Sequence, residues 1–255
     1  MRIKHEKWKG IPLLHAAPEE VFHEKLPTVI FFHGFTSAKE HNLHYAYQLA
    51  QKGIRVLLPD AMLHGEREEA LDEVQLSLRF WEIVLTSIEE MTYIIEEAND
   101  QQLILGDIGI AGTSMGGITS LGAMVANPQI QTAAIMMGSA NYVQLAEAQM
   151  HQFESRGFKL PLTAEERERM LTTLSRFDGS KNRAAFKKRP LFFWHGEQDM
   201  VVPFEPTFKF YQALKKDYAD VPDRLRFMKE KETGHAVSRK GMLDAVDWLG
   251  QHMAK

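Results

Sequence analysis

The chain has 255 residues, 44% of them hydrophobic, and contains no cysteine. That length suits one α/β domain with a sizeable core, and the missing thiols exclude a disulfide framework, thiolate zinc sites, iron–sulfur clusters and a cysteine nucleophile. Thirty Lys and Arg against 34 Asp and Glu give a net charge of −4, without the basic excess of a nucleic-acid binder.

The first twelve residues carry charges but no apolar h-region of a secretory signal, and no run approaches the roughly 18 apolar residues of a membrane span. A cytoplasmic protein with no membrane partner is expected. Residues 1–27 alternate around Gly10-Ile11-Pro12 and predict short edge strands. Thr28–Phe32 is continuously apolar and ends at His33-Gly34, as a strand covered on both faces does. A helix is expected over 39–52, and a second strand over Ile54–Leu58, stopped by Pro59-Asp60. Over 79–98, Trp81, Val84, Ile88, Met91, Ile95 and Ala98 recur at three and four residues and predict an amphipathic helix. Ile108–Gly112 is a third strand, followed by a helix of small and apolar residues to about Ala126. Strands are predicted over Thr132–Met137, Leu191–Trp194 and Arg224–Lys229, and a last helix over 238–253. This alternation defines a doubly wound, mostly parallel α/β sheet in a single domain. The interval 138–189 departs from it. It is polar and helical, has a capping-box pattern at Thr163–Glu166, and is expected to form a lid across the sheet edge. The basic run Lys181–Arg189 reads as a solvated face.

Gly112-Thr113-Ser114-Met115-Gly116 matches G-x-S-x-G at a strand-to-helix junction, the setting of a nucleophilic serine. A serine hydroxyl needs a base. Of eleven histidines, His235 alone falls between the last strand and the last helix, where the carboxyl edge of the sheet lies. The base needs a carboxylate. Asp199 follows the fifth strand, with Glu197 as its rival and Asp178 as a weaker one. Oxyanion donors are expected from the N–H groups of Met115 and Phe35, with Thr36 in reserve. His33 reads as a structural hydrogen-bonder. Asp60 and His64 face the same edge, and Thr36 and His64 are the expected substrate contacts. Met136 and Met137 read as core. His41 and His44, three apart, have metal-ligand spacing but no supporting carboxylate pattern, so neither a metal nor a cofactor is expected.

These pieces together resemble the α/β-hydrolases, and more narrowly small bacterial carboxylesterases related to dienelactone-hydrolase and prolyl-oligopeptidase-type catalytic domains. The resemblance rests on His33–Thr36, Pro59-Asp60 with His64–Arg67, Gly112–Gly117, His195–Asp199 and Gly234-His235, in the family order. It implies a triad of Ser114, Asp199 and His235, because the family places its acid three residues after the glycine matching Gly196. It also implies hydrolysis of small-molecule esters of small or medium acyl chain. Two departures stand out: dienelactone hydrolases use cysteine where this chain has Ser114, and 255 residues leave no room for a propeller domain. Thioester hydrolysis, deacetylation and perhydrolysis use the same triad, and a catalytically silent binding protein is the alternative outside enzymes.

Overall fold

The computed structural model describes residues 1–253. Eight strands form one sheet: β1 (Arg2–Trp8), β2 (Ile11–Ala17), β3 (Leu26–Phe32), β4 (Arg55–Pro59), β5 (Ile104–Thr113), β6 (Ile130–Met136), β7 (Leu191–Gly196) and β8 (Leu225–Glu230). Their order is β1-β2-β4-β3-β5-β6-β7-β8. The six strands from β4 to β8 run parallel, and β1-β2 is an antiparallel hairpin on one edge. Lys9 and Gly10 both have positive φ at its tip, which matches the twist a two-residue hairpin needs. Strands are therefore present within 1–27 as expected, but only β1 lies at the edge; β2 is interior, paired with β1 on one side and β4 on the other.

The helices are α1 (Leu43–Ala50), α2 (Glu73–Leu78), α3 (Phe80–Asp100), α4 (Met115–Ala126), α5 (Tyr142–Ser155), α6 (Ala164–Phe177), α7 (Phe204–Asp217) and α8 (Arg239–His252). The continuously apolar strands are explained by helices on both faces. Ile30, Phe32, Leu57 and Phe193 pack with α3, α4 and α7, while Val29, Phe31, Val56, Leu58, Phe192 and Trp194 pack with α1 and α8. Two-residue periodicity thus sends neighbouring side chains to opposite cores. Within 138–189 lie α5 and α6, and Thr163 caps α6 with the reciprocal Glu166 bond expected from the sequence. α7 is an element the sequence pattern leaves unassigned. No helix among the described residues is long and apolar enough to cross a membrane.

Because the central strands are parallel, their carboxyl ends share one edge. The segments after β3, β4, β5, β7 and β8 bring Phe35, His64, Ser114, Asp199 and His235 there. The chain turns to opposite sides of β3 to form β4 and β5, so the gap between the ends of β3 and β5 is a topological switch point, where α/β sheets bind ligands.

Candidate active site

Ser114 joins β5 to α4 with φ 55° and ψ −117°, a conformation that costs a residue with a side chain. The fold holds it there. Its N–H donates to Met136 O of β6 at 2.8 Å. The backbone of α4 passes so close to the strands that a methyl on Gly116 would stand 2.1 Å from Phe32 O, and one on Gly112 2.3 Å from Gly116 C. The two glycines of the motif are therefore packing requirements of the same turn.

His235 Nε2 lies 2.8 Å from Ser114 Oγ, and its Nδ1 lies 2.7 Å from Asp199 Oδ2. His235 is partly exposed, whereas the Asp199 side chain is fully buried. Burial alone would raise the Asp199 pKa. His195 and His235, followed by the Val201 N–H, more than offset it and hold the carboxyl well below the usual range. Its other oxygen, Oδ1, accepts from Val201 N and Val202 N at 2.9 and 3.0 Å. The rival carboxylates are engaged elsewhere. Glu197 pairs with Lys229 at 2.7 Å, and Asp178 accepts from Val143 N at the start of α5 and from Ser180.

The N–H groups of Phe35 and Met115 have no hydrogen-bond partner among the described residues. Thr36 N–H donates to His64 Nε2 at 3.1 Å, so it is not free for the reserve role. The sequence reading sets Thr36 and His64 against substrate; in the structure neither lines the cavity above Ser114. His64 is buried behind the loop, donating from Nδ1 to Met62 O. His33 is its counterpart. It donates to Gly34 O and accepts from Ala61 N–H, and burial lowers its pKa to about 4. Both imidazoles serve as neutral struts for the segment 33–36. Asp60 is likewise structural, binding Lys39 Nζ at 2.6 Å and the N–H groups of Lys39 and Glu66.

A cavity of about 640 Å³ opens over Ser114. Leu145, Ala148, Gln149, Gln152 and Phe153 line it from a single face of α5, and Phe35, Phe80 and Ile118 face them. Two anchors set that face. Tyr142 OH donates to Ile118 O and accepts from Gly122 N–H, both on α4, and Trp81 Nε1 of α3 donates to Gln149 Oε1 at 2.8 Å. Met200 and Val201 form part of the rim, and Met200 is 89% exposed.

Sequence reasoning passed over His195, although the signal was present. An apolar strand ending in His-Gly occurs twice, at His33-Gly34 and His195-Gly196, and both imidazoles are buried on backbone carbonyls. The basic run Lys181–Arg189 is a correction. Phe186 and Arg189 are buried, because the Arg189 guanidinium donates to Ile130 O, Asn127 O, Met124 O and the carbonyls of Ala185 and Phe186. Those groups include orphan carbonyls at the α4 C-terminus, which a fixed fork of donors satisfies. For metals, the described residues bring together one ligand group, His5, Glu40 and Glu66, all exposed. Lys39 Nζ already stands 2.9 Å from Glu40 and 2.8 Å from Glu66. His41 instead shares a hydrogen bond with Ser37, and His44 packs on Tyr45.

A mostly parallel sheet with a serine on a strained strand–helix turn defines an α/β-hydrolase. The crystal structure of TT1662 from Thermus thermophilus has the same fold, with a TM-score of 0.77 at 22% identity over all of both chains. Residues 41–255 match the model of the prolyl oligopeptidase family. The chain is 43% identical over 254 residues to YitV of Bacillus subtilis (strain 168), provisionally named an esterase, covering 99% of this chain and all of that one. It is 31% identical over 257 residues to esterase YjfP of Escherichia coli (strain K12), covering 99% of this chain and all of YjfP. The chain belongs to the prolyl oligopeptidase family and is a hydrolytic enzyme.

Proposed function

We propose that the chain is a carboxylesterase that cleaves esters of small to medium acyl chain, with Ser114 as nucleophile, His235 as base and Asp199 as its carboxylate partner. The observation that carries this reading is the run of hydrogen bonds from Ser114 Oγ through His235 to Asp199 beneath a largely apolar cavity. Ser114 Oγ attacks the carbonyl carbon while His235 Nε2 takes its proton. The carbonyl electron pair moves onto oxygen, which the N–H groups of Phe35 and Met115 hold. Collapse breaks the bond to the leaving oxygen, and His235 delivers the proton to it. Water then attacks the acyl-enzyme by the same route and releases the acid. Asp199 orients His235 and balances the imidazolium throughout. These groups account for every bond and proton, so no cofactor is invoked.

The cavity walls orient the substrate. The leaving alcohol lies on the side of His235 and Asp199, over Met200 and Val201. The acyl chain lies against Phe35, Phe80 and the inner face of α5. The interval 138–189 acts as a cap on the acyl side. YitV and YjfP, both named for ester hydrolysis, support the reaction class.

The test is fluorophosphonate labelling beside a chain-length series of p-nitrophenyl esters, with thioester and acetylated-sugar substrates in parallel. Wild-type protein labels and turns over both acetyl and hexanoyl esters. Ser114→Ala loses labelling, and kcat falls by about 10³-fold or more. Labelling that survives Ser114→Ala would sink the reading, and a thioester turned over far faster than any ester would move the substrate class.

A further inference from the structure

His195 is fully buried at the end of β7 and takes no part in the steps above. Its Nε2 lies 2.9 Å from Val202 O, which can only accept, so the ring carries its proton on Nε2. The same nitrogen lies 3.2 Å from Asp199 Oδ2, the oxygen that His235 Nδ1 approaches at 2.7 Å from the other side. The opposite nitrogen, Nδ1, is buried without a hydrogen-bond partner among the described residues. A buried polar atom left unpaired is a cost to folding that an apolar side chain would not carry. A site that only needed filling would take an apolar ring there, since Phe204 already packs edge-on against the imidazole at 5.8 Å.

We infer that His195 is a positioning residue for Asp199: its Nε2–H ties Val202 O into the 199–202 turn and presents a second electropositive contact to the carboxylate oxygen that His235 uses. Asp199 Oδ2 is thus held between two imidazoles, one fixed and one reactive. The fixed one draws part of the carboxylate's charge and limits how strongly Asp199 stabilises a protonated His235. Among the described residues, the neighbouring carboxylates Glu197 and Glu230 have other partners: Glu197 is paired with Lys229, and Glu230 accepts from Trp194 Nε1 and Ser238 Oγ.

The inference rests on the Ser114–His235–Asp199 reading, and the experiment separates the two. The pH profile of kcat/KM for p-nitrophenyl acetate is measured for His195→Phe, His195→Asn and His195→Gln, with active sites counted by fluorophosphonate labelling and folding followed by thermal melting. Phe removes the donor, and Asn places its amide short of Asp199. Gln puts an amide nitrogen close to where Nε2 stands. In the Phe and Asn variants kcat/KM falls about tenfold or more, and its acid limb moves to higher pH by about half a unit or more, because the unshared carboxylate favours the imidazolium. Gln restores both. Should the Phe variant fail to fold, the Asn variant reads the same shift. An acid limb unmoved in the folded Asn variant, or Gln performing no better than Asn, overturns the inference. Wild-type protein that does not label at all overturns the triad reading instead.

Discussion

The hydroxyl of Ser114 stands on a backbone that a free peptide would avoid, and the contacts that hold it there have no slack. Gly116→Ala forces a methyl against Phe32 O, so it should cost more than about 3 kcal/mol or abolish soluble expression; thermal melting against Ser114→Ala, which keeps its contacts, measures this. That Ser114 and His235 meet was legible from sequence, because a G-x-S-x-G turn has a local signature and one histidine falls between the last two elements. Separating Asp199 from Glu197 needed the family resemblance. The two lie two residues apart, and only the pairing of Glu197 with Lys229 on β8 removes it from contention. The hydrogen bond between Thr36 and His64 was not legible for a similar reason. Which N–H of the 33–36 segment is free depends on an imidazole 28 residues away, and no local pattern encodes that contact.

Among the elements, strand identity was the most readable, because uninterrupted apolar runs have few other homes. The interval 138–189 was readable as helical but not as a wall. The residues at 145, 148, 149, 152 and 153 share one helical face, yet α5 is polar enough elsewhere to blur the stripe, and its rotation is set by Tyr142 and Trp81 through partners on other helices. α7 escaped notice because its aromatic residues are divided between the core and a surface cluster of Phe204, Phe208 and Tyr211. Filling the wall should shorten the accepted acyl chain. Leu145→Trp should lower kcat/KM for p-nitrophenyl hexanoate by about tenfold or more while leaving acetate within about threefold, and an unchanged hexanoate-to-acetate ratio would place the acyl chain elsewhere. Met200→Ser with Val201→Ser should raise KM for esters of apolar alcohols and leave ethyl esters little changed, checked with a matched acyl group.

Over the whole molecule, buried imidazoles set the acid limit. Burial lowers His33 and His15 to about 4, against an ordinary value of 6.5. In the unfolded chain both bind a proton as pH falls through 6.5, while the folded protein refuses it until about 4. Stability is therefore lost across that window, on the order of 3 kcal/mol for each group. Asp199 acts lower down. Its folded carboxyl is depressed, so its contribution is intact above the unfolded value of 3.8 and is lost only below it. Urea midpoints at pH 7.5 and pH 4.5 measure the fall, which His15→Phe should reduce. The hydroxyl of Tyr142 matters for engineering. It ties α5 to α4 by standing between Ile118 O and Gly122 N–H, two groups four residues apart that would pair directly as an ordinary helical bond without it. A segment grafted in place of α5 would therefore lose its tether to α4 unless it carried the tyrosine, and the tyrosine in turn requires position 122 to stay bare, because a methyl there would collide with its hydroxyl.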